Sequence, residues 1–324
     1  MGSNFQYSNI GYSLLSLIIE EVSGQTYETF VYENLWKPAG MEMTGYSRPD
    51  FTEALIAVGY SGGGSSWGKP TDKEWDGASP YLHLKGNGGV LSTTEDLYKW
   101  HKALSSEQVL SDEAREKLFS PELRAGETRA SFYAYGWDVS QTSRGTTRHW
   151  HNGSNGIFYA DFLRFPEEDV AVIMLSNKSH PSFNDLSFEV SKIIFHPSIE
   201  PEIPAEDTET NRNFTIHIME TIASEGLEKA REVYENRESA EQVLEFLMRD
   251  EGFTRLDAQQ PEIAVLIFEM NASAHPGSAM ALQALAEAYM ATGKNELALK
   301  YFRESLTRDP ENLFVREMIK RLEE

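Results

Sequence analysis

The chain has 324 residues, enough for one large domain or two ordinary ones, and its 29 Lys and Arg against 51 Asp and Glu give a formal net charge of −22. That deficit argues against nucleic acid or an anionic membrane as the main partner, because phosphate binding draws on clustered Lys and Arg. With no cysteine, disulfides, thiolate nucleophiles and Cys-ligated zinc are excluded, and no apolar run approaches the roughly 18 residues that span a bilayer.

Residues 1–9 lack the basic start and apolar stretch of a signal peptide. From Ile10 to Val22 the apolar side chains recur at helical spacing, and Ser23-Gly24 supplies a stop, so the pattern predicts a core helix. A second helix fits Tyr27 to Leu35, ending before Pro38. Residues 59–89 are rich in Gly and Ser and read as long surface loops near a site. A helix follows over Thr94–Leu104, with Ser92 and Glu95 spaced as a capping box. The segment "TRHWHNGSNGIFYADFLRFPEEDVAVIMLSN" predicts three strands; the runs Phe158–Phe165 and Val170–Leu175 flank the turn "PEED" as an antiparallel hairpin. A helix ending near Phe195 closes the unit.

Residues 197–211 are acidic, contain prolines and have no period, which suggests a linker between a first domain over 1–196 and a second over 212–324. The second is helical throughout. Ala298, Phe302 and Pro310 each repeat a residue 34 positions earlier, Ala264, Phe268 and Pro276. With Leu285, Ala286, Tyr289 and Gly293 at their offsets, this stretch resembles a tetratricopeptide repeat preceded by a degenerate one. A repeat of this kind would bind a protein or peptide partner.

Three blocks carry chemistry. "FQYSNIGYSLLSLIIEEVSG", "GNGGVLSTTEDLYKW" and "HNGSNG" before a strand hairpin together resemble the serine β-lactamase and penicillin-binding protein superfamily, in its class C and esterase-like branch. The likeness runs from Met1 to about Phe195. It implies an α+β fold, an antiparallel sheet flanked by helices, followed here by the all-α tail. It also implies attack on an ester, amide or β-lactam carbonyl through an acyl-enzyme, no cofactor, and an extracytoplasmic location. Tyr7 of Y-x-N would take the nucleophile's proton and return it to the leaving group. Asn9 would hold the substrate's amide or ester side, and His151 and Gly153 would be the ends of an H-x-G motif. Gly153 would let substrate lie close to the strand, and the N–H of Ser154 would be one oxyanion donor.

The family's nucleophile lies on an S-x-x-K helix well before Y-x-N, whereas only six residues precede Tyr7 here. The expectation is a fragment, a truncated product or a misassigned start, inert by itself. The S-x-x-K match at Ser66–Lys69 comes after Y-x-N, among glycines and before Pro70, and is not expected to form the required helical turn. His149 and His151 share a strand face and would be metal ligands only with a third donor, which the neighbouring sequence lacks. Glu167, Glu168 and Asp169 read as a solvated turn, and Trp67, Trp137 and Trp150 as packing or cleft residues. The rival from another class is a non-catalytic scaffold that works through the helical repeats.

Overall fold

Short polar side chains open the helices. Ser8 Oγ accepts from the Gly11 N–H at 3.0 Å and starts α1 (Asn9–Ser23), which Gly24 ends in the left-handed region. Thr26 caps α2 (Tyr27–Val31), which runs on as a π-helical turn over Tyr32–Trp36, just short of Pro38. The computed structural model describes residues 5–46, 55–72, 84–121, 123–124, 132–180, 183–200 and 203–324. Part of the Gly/Ser-rich region, residues 73–83, lies outside them. Within the described part, β1 (Gly59–Tyr60) and β2 (Ser66–Gly68) pair as a small antiparallel ribbon.

The cap of α3 (Thr94–Leu104) corrects the expected capping box. Thr93, not Ser92, accepts from the Asp96 N–H at 3.1 Å, while Ser92 Oγ pairs with Thr44 Oγ1 at 2.8 Å. Either residue has an acidic side chain three positions on, and tertiary contact selects Thr93. Asp96 is drawn away to the Met43 N–H at 2.7 Å and Thr44 Oγ1 at 2.9 Å, holding the loop after α2.

A short helix, α4 (Asp112–Leu118), precedes a six-stranded antiparallel sheet whose spatial order follows the chain. Its strands are β3 (Leu123–Arg124), β4 (Phe132–Ala134), β5 (Trp137–Gln141), β6 (Thr147–Ser154), β7 (Tyr159–Phe165) and β8 (Val170–Ser176). The expected β7–β8 hairpin is present, in register from Tyr159↔Ser176 to Phe165↔Val170. The β4–β5 hairpin was not legible: its turn is Tyr135-Gly136, both at positive φ (42° and 96°), and tyrosine replaces the Asn or Asp that usually announces such a turn. The "PEED" acids also differ from a plain solvated turn. Glu167 accepts from Thr147, Glu168 from Arg144 and Thr146, and Asp169 from Lys102.

Helix α1 is not the core helix its periodicity predicts. Its buried residues are Ser13 and Ser16, while Ile10 is 73% and Val22 82% exposed, and Leu14, Leu15 and Ile18 are more than half exposed. The serines face the loop at Gly86, where an added Cβ would meet the Tyr12 carbonyl at 2.7 Å and Ser16 Cβ at 2.8 Å. Asn87 Nδ2 donates to Ser13 Oγ at 2.7 Å. Close backbone approach needs small side chains on that face, so the apolar stripe points elsewhere.

The chain divides into two compact units, Met1–Phe188 and Glu189–Glu324, within helix α5 (Phe183–Phe195). The division falls earlier than the boundary expected at residue 196, because the stretch after α5 is tied into the second unit: His196 Nε2 lies 2.8 Å from Glu311 Oε1. The expected linker is also shorter at its far end, since Thr208 caps α6 (Glu209–Glu225). There follow α7 (Leu227–Glu235), α8 (Glu245–Asp257), α9 (Pro261–Ala274), α10 (Ala279–Ala291), α11 (Asn295–Arg308) and α12 (Leu313–Glu323). The residues that repeat in sequence repeat in space. Ala264, Phe268, Ala298 and Phe302 are all buried in one apolar cluster, and Pro276 and Pro310 each stand just past a helix end.

Candidate active site

Strand β6 positions the H-x-G residues, and its pairing is lopsided. Toward β7 it is in register over His149–Ser154, but toward β5 only over Thr147–Trp150. Among the described residues, His151–Ser154 therefore have no strand on that side. The Asn155 N–H donates toward the hairpin's returning arm, to the Phe158 carbonyl at 3.3 Å. Strand N–H groups alternate in direction, so those of Ser154 and Asn152 face the open edge. An added Cβ at Gly153 would meet nothing within 4 Å. The edge is a polar backbone template, and the sheet face over Gly153 is open among the described residues.

Tyr7 reaches this edge from the segment before α1. Its ring, 54% exposed, lies over the His151 ring with centroids 6.4 Å apart and planes 28° from parallel. Tyr133 of β4 completes the cluster: it is 6.0 Å edge-on to Tyr7, 4.7 Å from Phe5, and its Oη is 3.0 Å from His151 Nε2. The structure thus brings Tyr7, His151 and the Ser154 edge together, while Asn9 opens α1 as an exposed residue. Tyr133 was missed in the sequence because no motif marks it. Tyr12 also belongs here, with its Oη 3.3 Å from the Cβ position of Gly136.

Burial lowers the pKa of His151 and raises that of Tyr133, so the pair is neutral near pH 7. His149 shares the strand face but is pushed down to about 3 by burial and the neighbouring Arg164, and its ring stacks on Phe119 at 3.9 Å. It is a packed histidine, and no metal-holding group of three His, Asp or Glu exists among the described residues.

The opposite face of β6 is fastened to α5. Buried Asp161 accepts from Trp150 Nε1 at 2.6 Å, Ser187 Oγ at 2.5 Å and Tyr159 Oη at 3.4 Å, and Asn152 Nδ2 donates to Tyr159 Oη at 3.3 Å. Trp137 packs on Phe119 and Phe162, and Trp67 on Phe158. Each of the three tryptophans is half-buried and has an aromatic packing partner, Phe188 for Trp150. Ser66 lies in strand β2, followed by Gly68 at φ 96°, so the late S-x-x-K match forms no helical turn. Deeper in the unit, Arg164 donates from Nε to Nδ1 of fully buried His101 at 3.2 Å, and His101 Nε2 meets Asp169 at 3.2 Å.

The β-lactamase family model matches residues 1–190. This chain belongs to the β-lactamase family. It is similar to penicillin-binding protein 4* of Bacillus subtilis, 31% identical over 212 residues, covering 62% of this chain and 47% of that protein. It is also similar to the protein flp of Staphylococcus aureus, 29% identical over 182 residues, 54% of this chain and 34% of that one. The chain therefore spans less than half the length of either relative. A solved β-lactamase/D-alanine carboxypeptidase from Pseudomonas syringae shares the fold, with a TM-score of 0.50 and 16% identity over 62% of this chain and 61% of that one. The β-lactamase-like α+β fold is thus established for the first unit, and no helix among the described residues is long and apolar enough to cross a membrane.

Proposed function

We propose that these residues hold the proton-transfer and carbonyl-binding side of a serine-hydrolase site acting on an ester, amide or β-lactam carbonyl. The observation that carries this is Tyr7 lying over His151 beside the unpaired half of β6. A serine presented at that edge would bond to the carbonyl carbon as its proton passes to Tyr7. The oxyanion would take the Ser154 N–H, and Tyr7 would return the proton to the leaving group as the old bond breaks. Asn9 and Gly153 would seat the substrate, and water would repeat the cycle to free the acid.

A phenol serves as base only where a cation favours phenolate. Neutral His151 and Tyr133 supply none to Tyr7, so that charge would come with the lysine of a helical S-x-x-K segment, which the Ser66–Lys69 match does not form. The chain alone is therefore proposed to be inert, and for such a hydrolase we place the working site outside the cytoplasm. Loss of the nucleophile in a serine protease costs on the order of a million-fold in turnover. Treated with a fluorophosphonate or a fluorescent penicillin, the chain should form no adduct. Fused to the S-x-x-K segment of a relative, it should be labelled on the added serine, and a Tyr7→Phe change should suppress that labelling. A stoichiometric adduct on Ser66, or a folded fusion that stays unlabelled, would refute the reading.

The buried Ala and Phe pairs that repeat through α9 and α11 favour a second role beside this one. The helical unit is proposed to be tetratricopeptide-like and to engage a protein or peptide. Pull-down by the helical unit of no partner, together with full labelling of the fusion, would leave the hydrolase as the sole function.

A further inference from the structure

Arg164 on β7 is the largest fully buried side chain among the described residues, 1% exposed, and its guanidinium has no carboxylate of its own. Nε donates to His101 Nδ1 at 3.2 Å, and Nη2 donates to the His101 carbonyl and to Ser105 Oγ, each at 3.1 Å. These acceptors are neutral. Asp169 is reached only through His101, and Lys102 already pairs with it at 2.7 Å. Phe119 and Trp137 flank the group, their ring centroids 5.5 and 5.6 Å from Cζ. Burial pushes the guanidinium down to about 10, so it stays charged at neutral pH. Its Nη1 is buried with no hydrogen-bond partner among the described residues.

His149 supplies a second unmatched nitrogen at the same place. It lies directly opposite Arg164 in the β6–β7 register and so on the same face of the sheet. Its ring stands against the same two aromatics, 3.9 Å from Phe119 and 6.4 Å from Trp137. Its Nδ1 is likewise buried and unpartnered among the described residues. A buried charge and a buried polar nitrogen each cost stability unless another group meets them. A water would bridge the two nitrogens and leave the charge unanswered, whereas an anion meets both needs. Side chains directly opposite in a sheet start only about 5 Å apart, which suits a one-atom ion better than a phosphate.

We propose that Arg164 Nη1 and His149 Nδ1 form a buried site for a small monovalent anion of the halide class, held between β6 and β7 beside Phe119. The anion accepts from both nitrogens, with an imidazole proton on Nδ1, and it balances the guanidinium that joins α3 to the sheet. His149 is two residues from His151, so the ion fastens β6 just before its open edge. None of the residues that hold it takes part in the proposed hydrolysis, and the site stands whether or not that reading does.

Chlorine NMR of the full chain tests this, with sodium chloride exchanged for sodium gluconate at constant ionic strength. The protein should broaden the chloride line, and excess bromide should remove the broadening. His149→Phe keeps a ring against Phe119 but lacks Nδ1, and should weaken chloride binding about tenfold. Arg164→Met removes the charge and should abolish the broadening. Lys37→Gln, which alters an exposed cation of the first unit, should leave it as it was. A chloride line that the unaltered chain does not broaden would overturn the proposal and make water the partner of the two nitrogens. Broadening that persists in folded His149→Phe and Arg164→Met would also overturn it, because the ion would then lie on the surface. Should neither variant fold, a bromide-soaked crystal of the unaltered chain decides by anomalous scattering. A peak in contact with Arg164 Nη1 and His149 Nδ1 supports the site, and no peak there refutes it. Absence of labelling in the fusion experiment would count against the hydrolase and leave this readout intact.

Discussion

The two units solve the burial problem differently. In the helical unit, apolar periodicity and burial coincide: Phe268 and Phe302 point inward because each helix hairpin covers the stripe of its neighbour. In the first unit they part company on α1, where Ser13 and Ser16 are inside and Ile10 and Val22 are out. Apolar spacing therefore specifies that a helix has a face to cover, and only its neighbours determine whether that face is covered. The same contrast holds at the sheet, where β8 has β7 on one side and, among the described residues, no strand on the other.

The sharpest way to break this comparison is in the helical core. Phe302→Ala should cost the second unit about 3 to 5 kcal/mol, read by chemical denaturation, and leave the first unit's transition in place. Equal loss in both transitions would show that the units do not fold independently.

Acid should separate the units next. Burial, joined by Arg164 for His101 and His149, lowers the pKa of His101, His149 and His151, so for each the unfolded chain takes up its proton first. That contribution is fully present above the ordinary histidine value near 6.5 and is lost as pH falls below it, for His149 down to about 3. The slope should approach about 1.4 kcal/mol per pH unit for each histidine. A first unit whose stability is flat between pH 7 and 4 would contradict the burial of these rings.

Asp161→Ala should leave Trp150 and Ser187 without their acceptor and cost the first unit about 2 to 3 kcal/mol, measured by its thermal midpoint. In the second unit, Gly252→Ala should cost about 1 to 3 kcal/mol, because the new methyl would meet the Phe268 ring at 2.4 Å. The smallest effect belongs to the exposed stripe. Ile10→Ser with Val22→Ser should change stability by less than about 0.5 kcal/mol for each residue, yet remove most of the ANS fluorescence that this face is expected to produce. A large destabilisation would mean that the stripe is packed after all.

Much of the fold was legible because its signals are local. The helix expected over Tyr27 to Leu35, Thr94–Leu104, the β7–β8 hairpin and the helical repeat all follow from spacing, caps and turn residues a few positions apart. The motifs that pick out Tyr7 and His151 are also local, and the fold brings these two rings to 6.4 Å of each other. The cap at Thr93, the pairing of the "PEED" acids, the burial of the serine face of α1 and the contact of Tyr133 with His151 were not legible. Each depends on a partner far along the chain, brought near by strand register or by the close approach of a loop. Local propensity supplies the elements, but which edge stays unpaired, which face is covered and which phenol holds an imidazole are properties of pairs, and pairing is decided only when the sheet and its flanking helices close together.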